Sequence, residues 1–444
     1  MHDRRVDAVW VAVIGWAGGC ALFRTTVVPV ERPDGVDLAV YGRTSGGSTG
    51  WALGAGDLTG DGDPDLIVGA PYEGDDGTVS VWSGGWTGVV DHPRDAPIHL
   101  VARGEAAHEL VVGELDGEPG ADLAAVVCGD AARLAVIAGP VRDGVRLDED
   151  AVGRLTGDAE CPPRLILGAG DRDGDGRIDL ALARDAARLY LTRGPLLRYG
   201  DLYAGADTVT DPAGGFDEPG PVVVGDLDGD GAADLIVGAP SADRVYGFLH
   251  PVTGDASTDE AELVFDGAAL DHTGAALAIA DFDRDGAVDL AVGAPGADGG
   301  AGEVGVWFGP VATGTDPDVR VVGGPANGFG AGLAALDLDG DGGAELAVFT
   351  RPDTVTVAAN GGFTVTGPPN PWSLIRFGGG RPAAVWDLAS DPVDTYPTYA
   401  GDQLGVGPVV VADFDRDGVP DLAAGAPAAG SVGAAYLWRG ASLR

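Results

Sequence analysis

Residues 226–240 read DLDGDGAADLIVGAP, an acidic loop followed by a short apolar run. Carboxylates at alternate positions of a tight loop, with a glycine at the bend, surround a hard cation with oxygen atoms. An EF-hand carries a bidentate Glu at the twelfth position, where this sequence has Val237. The apolar run ends at Gly238 and Pro240, so it is too short for a helix and predicts a buried strand. We therefore expect the loop to join two strands.

The same acidic pattern recurs along the whole chain. Successive copies start 55 to 57 residues apart, except that the last starts 76 residues after the sixth. A fixed period of this length is typical of repeat folds, and it predicts seven units with an insertion of about twenty residues before the last. One copy, ELDGEPGADLAAVV, is degenerate. The copies begin at Asp57, Glu114, Asp171, Asp226, Asp281, Asp337 and Asp413.

Each unit has the same order of parts. A strand of small residues such as PVVVGD or ALAIAD leads into the loop, and the apolar strand DLIVGAP or its equivalent follows. A third strand comes next, as in 77–85 or 302–310, and then a shorter fourth strand, as in 98–104 or 319–324. Four antiparallel strands in each of seven units predict an all-β, seven-bladed β-propeller. The first two strands should lie nearest the axis, because they are continuously apolar and built from small residues.

The two ends of the chain complement each other. After the third strand of the last unit, VGAAYLWRG (432–440), only ASLR remains, whereas DLAVYGR (37–43) ahead of the first unit resembles a fourth strand. Residues near 36–41 are therefore expected to pair with residues near 434–437 and close the ring. The predicted division is a signal segment at 1–20, a tether at 21–35 and the propeller at 36–444.

The recurring words of the strands resemble a known family. GAP occurs at 69–71, 238–240, 293–295 and 425–427, and FG occurs at Phe329 and Gly330. They resemble the FG-GAP repeats of the integrin α-chain N-terminal propeller and its bacterial relatives. The resemblance covers nearly everything after residue 35, and it implies calcium in the hairpin loops between the first two strands of several blades. Only one unit keeps the full FG, and units two, three and six replace GAP, so we expect an integrin-like propeller and not an integrin.

Six well-formed loops supply the candidate calcium ligands, which share the alternate positions of the repeated acidic pattern. They are Asp57, Thr59, Asp61, Asp63 and Asp65 in unit one; Asp171, Asp173, Asp175 and Asp179 in unit three; Asp226, Asp228, Asp230 and Asp234 in unit four; Asp281, Asp283, Asp285 and Asp289 in unit five; Asp337, Asp339, Asp341 and Glu345 in unit six; and Asp413, Asp415, Asp417 and Asp421 in unit seven.

The charge of the chain bears on its partners. The formal net charge is −42 and the pI is near 4.1. Nucleic acid and anionic membranes are excluded as expected partners, because phosphate binding needs a basic face. Clustered carboxylates repel one another without cations, so calcium should contribute to folding by mass action. The alternative is a general surface acidity, as in a salt-adapted organism, with some loops empty.

The N-terminus reads MHDRRVDAVWVAVIGWAGGCALF. Arg4 and Arg5 precede an apolar stretch of about ten residues, which is too short to span a bilayer and has the size of a signal-peptide core. AGGC (17–20) resembles a bacterial lipobox, in which the cysteine is lipidated, here Cys20. Ordinary cleavage near Ala21 is the alternative. Either route predicts export, as an outer-membrane lipoprotein or a secreted protein, with membrane contact only through the lipid.

The two remaining cysteines, Cys128 and Cys161, form an even pair for an oxidising compartment. Cys128 ends a second strand and Cys161 precedes the next first strand, so both should fall in adjacent blades on the face away from the acidic loops. A disulfide between them is the prediction, and two buried free thiols are the alternative.

No enzyme is predicted. GGSTG (46–50) satisfies GxSxG, but a nucleophile elbow lies between a strand and a helix, whereas these residues should form a turn between two strands. The six histidines are scattered and form no metal-binding motif. A hydrolase or lyase that uses one ring face remains an alternative.

Binding is the predicted function, at the cell surface, with a protein or glycan as the ligand. The apparent insertion at 367–399 gathers aromatic residues among prolines, and exposed rings on a stiff loop suit protein or sugar contacts. The other interpretation is that these rings pack over the outer edge of blades six and seven. A lectin-like, sugar-binding propeller is an alternative to a protein-binding adhesion module. The candidate residues are Trp372, Trp386, Tyr396 and Tyr399, with Phe377 nearby.

Overall fold

The structure is a computed structural model. It describes residues 35–443 apart from residues 75, 85–86, 92–94, 103–104, 129–130, 158–165, 186–187, 198, 211–219, 315, 325–327, 351–354, 358–362, 366–371, 378–384, 388–393, 397–407, 428 and 430–431.

Short strands make up nearly all of the regular structure. In chain order they are β1 (Leu38–Tyr41); β2 (Ala52–Gly56), β3 (Asp65–Ala70), β4 (Thr78–Trp82), β5 (Gly88–Asp91) and β6 (Ile98–Val101) from unit one; β7 (Glu105–Gly113), β8 (Asp122–Cys128), β9 (Arg133–Ile137) and β10 (Gly153–Thr156) from unit two; β11 (Ile166–Gly170), β12 (Asp179–Asp185), β13 (Arg188–Thr192), β14 (Tyr199–Asp201) and β15 (Asp207–Thr210) from unit three; and β16 (Val222–Gly225), β17 (Asp234–Ala239), β18 (Arg244–Phe248), β19 (Asp255–Ser257) and β20 (Leu263–Asp266) from unit four.

The remaining strands follow in the same order. They are β21 (Ala276–Ala280), β22 (Asp289–Ala294), β23 (Glu303–Trp307) and β24 (Val319–Val322) from unit five; β25 (Gly332–Leu336), β26 (Glu345–Phe349), β27 (Val355–Val357), β28 (Phe363–Val365), β29 (Trp372–Ile375), β30 (Val385–Asp387) and β31 (Asp394–Tyr396) from unit six; and β32 (Val409–Ala412), β33 (Asp421–Ala426) and β34 (Ala434–Trp438) from unit seven. Single helical turns lie at Pro240–Ala242, Thr258–Glu260, Ala297–Gly300 and Gly440–Leu443.

In the described residues the strands form seven sheets of four or five strands, one for each sequence unit, and a separate two-stranded sheet; the predicted seven-bladed propeller is confirmed. Within each sheet the four main strands run antiparallel, as in the order β16, β17, β18, β20 of blade four. The first strands contact one another around the axis. First strands such as β16 and β32 are mostly half-buried there, whereas second strands such as β3 and β17 are buried along their whole length.

The ring closes as the two chain ends predict. β1 pairs antiparallel with β34, and Leu38 faces Leu437 while Tyr41 faces Ala434. The fourth strand of blade seven therefore comes from the N-terminal part of the chain. Ala39 of β1 and its partner Tyr436 of β34 are both buried, so the strand pair that closes the ring is part of the apolar core.

The core is divided into seven clusters, and each fills the seam between two adjacent sheets. Blades four and five, for example, are joined by Ile236 and Phe265 on one side and Leu290 and Trp307 on the other. Apolar residues on both faces of a strand are needed when a sheet is covered from both sides. This explains the continuous apolar runs of the second strands.

The words FG and GAP mark the place where neighbouring blades touch. Gly274, at the FG position of blade five, has a φ of +88°. Its N–H donates to the carbonyl of Gly293, the GAP glycine of its own blade, at 3.0 Å. Its own carbonyl lies 2.2 Å from the point where a Cβ on Gly238, the GAP glycine of blade four, would stand. Both positions therefore require glycine, one for its backbone angle and the other for space.

The sequence did not predict the strands that cover the outer edges. β5, β14, β19 and β30 lie in connections between a third and a fourth strand, and each pairs in parallel with the fourth strand of the preceding blade. An edge strand exposes unpaired N–H and C=O groups that invite association. These four extra strands protect the edges that they cover and join four pairs of neighbouring blades.

The extra chain of unit six lies earlier than predicted. The added hairpin is formed by β27 and β28, between the second and third strands of the blade. The stretch 367–399 instead contains the third strand, β29, and the fourth strand, β31. β26 lacks the GAP ending that marks other second strands, so no local signal separated the insertion from the blade.

Candidate metal sites

The acidic loops are organised by their own carboxylates. In blade four, Asp226 accepts hydrogen bonds from the N–H groups of Gly229 at 2.8 Å and Gly231 at 3.0 Å. Asp228 accepts from the N–H of Asp230 at 3.0 Å. Side-chain oxygens that bond to the backbone ahead of them stabilise a turn. These hydrogen bonds within the loop stabilise its turn.

This folding brings the carboxylates of one loop together. The described residues contain six groups of acidic side chains. Within each group, the oxygen atoms that could bind a metal all lie within 4.8 Å of one another. Five of the groups are Glu114, Asp116 and Asp122; Asp171, Asp173 and Asp175; Asp226, Asp228 and Asp230; Asp281, Asp283 and Asp285; and Asp337, Asp339 and Asp341.

The first of these groups belongs to the degenerate loop, whose residues the sequence did not single out. Glu114 accepts from the N–H of Gly117 at 2.6 Å, as the first Asp does in other loops. Asp122 accepts from the N–H groups of Leu115 and Asp116, both at 3.0 Å. Glu118 replaces the carboxylate of the fifth position. The unbroken ninth-position acid was the signal that could have found this loop.

The acid at the ninth position of each loop is buried where the second strand begins. Asp289 is fully buried, and its two oxygens accept from the N–H groups of Phe282 at 2.6 Å and Gly309 at 2.7 Å. Burial raises the pKa of Asp289 to about 6, although both hydrogen bonds oppose the change. Burial also raises the pKa of Asp421 to about 6. The same cause raises the pKa of Asp65, Asp122, Asp179, Asp234 and Glu345.

One of these acids is incompletely satisfied. Asp234 accepts from the N–H of Leu227 at 2.6 Å through Oδ2, while its Oδ1 is buried without a hydrogen-bond partner. A buried carboxylate oxygen without a partner is costly unless a cation compensates it. A hard cation that binds oxygen ligands is the compensation that the neighbouring Asp226, Asp228 and Asp230 would admit. The residues of this loop therefore fit a metal ion.

In the described residues, the loops of blades one, two and four are also held by the next blade. The carbonyl of the buried second-position residue accepts a backbone N–H from the connection that follows the neighbour's third strand: Leu58 from Val141 at 2.9 Å, and Leu227 from Val311 at 3.0 Å. These loops are therefore fixed both by their own side chains and by the ring.

Arginines link some loops to their neighbours. Arg284 of loop five forms an ion pair with Asp341 of loop six, and Arg416 of loop seven forms one with Asp63 of loop one. In loop three the apolar second position is taken by Arg172, which is buried and lies 2.9 Å from Asp207. These guanidinium groups offset part of the negative charge of the loops.

The predicted metal ligands lie in the hairpin loops and at the first residue of each second strand, and their role as ligands stays a prediction. The predicted ligand-binding aromatic residues are placed differently. Trp372 is fully buried and stacks on Phe349 with ring centroids 5.7 Å apart, so the ligand-binding interpretation is wrong for this residue. It belongs to the third strand of blade six and packs toward Trp438 of blade seven. Trp372 thus packs in the core between blades six and seven, and not over their outer edge as the other interpretation has it.

Several predictions fall where the structure gives no description. Cys20, Cys161 and Tyr399 lie outside the described residues, as do the side chains of Trp386 and Tyr396. Cys128 is disulfide-bonded. Its pairing with Cys161 stays a prediction. Within the described part of the chain, no helix has the length and apolar character needed to cross a membrane.

The GxSxG match forms a blade turn. Ser48 has a φ of +54°, and His272 at the equivalent position of blade five has the same value. The strand β2, and not a helix, follows the turn. The left-handed conformation of Ser48 is thus a feature of the repeat, and the strand–turn–helix geometry of a nucleophile elbow does not occur here.

An aromatic cluster lies at the end of blade one away from the acidic loop. Trp51 precedes β2 and Tyr72 follows β3, and each is 38% exposed. Their ring centroids are 6.2 Å apart, and that of His108 lies 5.5 Å from Tyr72. His108 also lies 3.1 Å from the carboxylate of Glu105. The sequence did not bring these residues together, because they come from different strands and two blades.

Comparisons with known proteins agree with the repeat pattern. The FG-GAP repeat family model matches residues 49–82, 222–256, 273–307 and 409–438. Mouse integrin alpha-IIb is 35% identical over 146 residues, which cover 29% of this chain and 14% of that protein. Human integrin alpha-IIb is 36% identical over 146 residues, with the same coverage. The chain thus matches only about a seventh of the length of these relatives.

A similar solved structure is that of BBS1N in complex with ARL6DN, soaked with lead. It has a TM-score of 0.43 and 11% identity, over 87% of this chain and 90% of that chain.

Proposed function

Since the chain is a seven-bladed β-propeller that carries FG-GAP repeats, we propose that it is an exported, calcium-stabilised module that binds a protein or glycan at the cell surface without catalysis. The observation that carries the calcium assignment is the clustering of ligand atoms within 4.8 Å in loop after loop. The similarity to integrin alpha-IIb supports a role in binding or adhesion.

The donor set favours calcium over other ions. Loops three to seven each offer three carboxylates at positions one, three and five and a buried acid at position nine, whereas Thr59 takes position three in loop one. Calcium accepts six to eight oxygen ligands in flexible geometry, whereas magnesium demands a near-ideal octahedron and keeps several waters. Cysteine and histidine, the usual ligands of zinc, are absent from the described acidic loops.

Bound calcium would supply positive charge at the start of each second strand. The loop residues hold the carboxylates in place, and the ninth-position acid is buried against the strands. An ion that binds only the folded form stabilises it by about 2.7 kcal/mol per site at a free concentration of roughly 100 Kd. Several such sites would make the ring strongly dependent on calcium.

Thermal unfolding tests this assignment. Residues 21–444 are heated with calcium, with magnesium alone and with a chelator, and the bound ions are counted by native mass spectrometry. We expect several calcium ions and a large fall in the melting temperature in chelator. No bound ions and an unchanged transition would overturn the calcium assignment and make the loops a surface adaptation.

A sugar ligand is the second candidate, because the side chains of Trp51 and Tyr72 are partly exposed and the carboxylate of Glu105 lies near Tyr72. Aromatic faces with a neighbouring hydrogen-bonding group suit a pyranose ring as well as a protein side chain. A glycan array probed with the native protein and with Trp51→Ala separates the two. Glycan signals that the variant loses would support the lectin, whereas an empty array would favour a protein ligand.

A further inference from the structure

The second position of the repeated loop holds a buried apolar residue in six of the seven units, and loop three is the exception with Arg172. The side chain of Arg172 is buried as well. A buried guanidinium is costly unless charged and hydrogen-bonding partners surround it, so its partners show what its charge does. The apolar residues at the same position are Leu58, Leu115, Leu227, Phe282, Leu338 and Phe414.

The guanidinium of Arg172 joins blade three to blade four. Nη1 donates to the carbonyl of Val252 at 2.6 Å, and Nη2 donates to the carboxylate of Asp207 at 2.9 Å. Val252 follows the third strand of blade four, and Asp207 begins the fourth strand of blade three. The other oxygen of Asp207 accepts from the N–H of Gly254 at 2.7 Å. Bonds to both blades therefore hold the guanidinium in one orientation.

The same guanidinium lies beside the ninth-position acid of its own loop. Nε of Arg172 is 3.9 Å from Oδ2 of Asp179, and both side chains are buried. Oδ2 also accepts from the backbone N–H of Arg172 at 3.3 Å, and Oδ1 accepts from the N–H of Gly194 at 2.9 Å. Groups of the protein thus compensate both oxygens of this buried carboxylate.

Loop four has the opposite arrangement at the same positions. Its second-position residue is Leu227, which brings no charge, and Oδ1 of Asp234 is buried without a hydrogen-bond partner. A buried carboxylate oxygen of this kind needs a cation from outside the protein. The two neighbouring loops therefore differ in whether the chain itself supplies the positive charge.

The backbone of the two loops is organised in the same way. Asp171 accepts from the N–H groups of Gly174 and Gly176, both at 2.8 Å, and Asp226 accepts from the equivalent glycines of loop four. The difference between the loops thus lies in the charge beside the ninth-position acid and not in the shape of the hairpin.

Other arginines near the loops are less firmly held. Arg177 pairs with Asp175 within loop three, but 37% of its side chain is exposed, and Arg284 of loop five is 34% exposed. Ion pairs between exposed side chains are weak, so these arginines can turn into water when a metal ion binds. Arg172 has no such freedom, because it is buried and bonded to both blades.

Resting on the calcium assignment of the proposed function for the other loops, we infer that Arg172 takes the place of the metal ion in loop three. Its fixed charge compensates Asp179 and repels a second cation, so calcium should bind loop three at least about tenfold more weakly than loop four. The seam between blades three and four is then held by groups of the protein and keeps its packing when calcium is removed.

Ion counting in paired variants of the full chain tests this inference. Asp171→Asn with Asp175→Asn removes two carboxylates from loop three, and native mass spectrometry should show as many calcium ions as in the native protein. The matched pair in loop four, Asp226→Asn with Asp230→Asn, should lose one ion. Loss of one ion from each pair would overturn the inference and leave the proposed function intact. A native protein without bound calcium would overturn both.

Removal of the guanidinium should create the missing site. Arg172→Leu gives loop three the residue that loop four has at this position, so the loop should still fold and bind one additional calcium ion. Arg244→Leu is the control, since it removes the same charge from an ion pair with Asp266 outside the loops. An unchanged number of ions in Arg172→Leu would overturn the inference.

Hydrogen exchange provides a measurement that needs no variant. On transfer from calcium to chelator, the amides of Gly229 and Gly231 in loop four should exchange about tenfold faster, because repulsion among the carboxylates opens the loop. The amides of Gly174 and Gly176 in loop three should change little. Equal acceleration in both loops would contradict the role assigned to Arg172.

Discussion

At the residue scale, two kinds of position decide how this chain folds. Glycines of FG and GAP allow neighbouring blades to touch, as Gly274 and Gly238 do. Ninth-position acids such as Asp289 are buried at the start of the second strands, where burial raises their pKa. A bound cation or a proton would neutralise their charge. The glycines allow the blades to pack whether or not metal is bound. The buried acids make the stability of the ring depend on the pH and on the cation concentration.

Gly238→Ala should destabilise the protein. Its Cβ would lie 2.2 Å from the carbonyl oxygen of Gly274, and backbone cannot yield as a flexible side chain can. We expect a loss of about 1–3 kcal/mol in the free energy of unfolding, measured with denaturant in saturating calcium. Gly157→Ala is the control, since its Cβ would meet nothing closer than 3.5 Å. A similar loss of unfolding free energy in both variants would contradict the conclusion that the contact between Gly238 and Gly274 requires glycine.

The buried acids predict an unusual pH dependence of the metal-free protein. Burial raises the pKa of Asp289 and Asp421 from 3.8 to about 6, so the folded state binds these protons more tightly than the unfolded chain. Their contribution to stability is greatest near pH 4 and is lost as the pH rises through 6. We therefore expect the melting temperature in chelator to rise when the pH is lowered from 7 to 5.

Two controls accompany this titration. In saturating calcium the gain should disappear, because protons and cation compete for the same carboxylates. Asp289→Asn should reduce the gain in chelator, because the amide does not titrate. A melting temperature in chelator that falls on acidification would show that other groups dominate.

At the element scale, the hairpin loop of blade four is organised by its own side chains. Its first acid, Asp226, binds the backbone of its own loop at Gly229 and Gly231. The connection from the next blade then fixes the loop from outside, as Val311 does at Leu227. A loop of this kind should gain or lose its ion without changing the others.

Replacing Asp226 and Asp230 by Asn should therefore remove one calcium ion. The two substitutions remove two negative charges from the loop, so its affinity for calcium should fall. The side chains keep their size, so the hairpin should keep its shape. Native mass spectrometry of the variant should show one ion fewer than the native protein. Asp316→Asn, which lies outside the loops, should leave the number of ions unchanged. Loss of several ions at once would mean that the sites are coupled.

At the scale of the whole molecule, the ring depends on a strand from far along the chain. β1 lies between β34 and β5, so its N–H groups are used on both sides. Tyr41 and Tyr436 add a hydrogen bond of 3.1 Å between their hydroxyls across this pairing. Closure of the ring thus joins residues almost four hundred positions apart.

Ala39→Pro should open the ring. Proline removes the N–H and cannot occupy the middle of a sheet, and we expect a loss of at least about 3 kcal/mol in the free energy of unfolding. Thr26→Pro, which precedes the ring in the sequence, is the control and should have little effect. Native stability in the first variant would mean that the other blades hold the ring without its closing strand.

Much of this protein is determined by the sequence itself. The repeated loop and its period predict seven blades, and the two ends predict the pairing of β1 with β34, because turn chemistry and strand patterns are local properties. The candidate ligands likewise depend on spacing within a single loop. The degenerate loop at Glu114 shows the limit of prediction from the pattern. It has the same hydrogen bond and acidic cluster as the other loops although its sequence departs from theirs.

Only the tertiary structure decided the rest. The parallel strands at the outer edges, the burial of Trp372 between blades and the cluster of Trp51, Tyr72 and His108 all join residues from different blades. Such contacts depend on which edges the closed ring brings side by side. Local sequence carries no signal for them, because a strand or an aromatic ring has the same pattern whichever neighbour it meets.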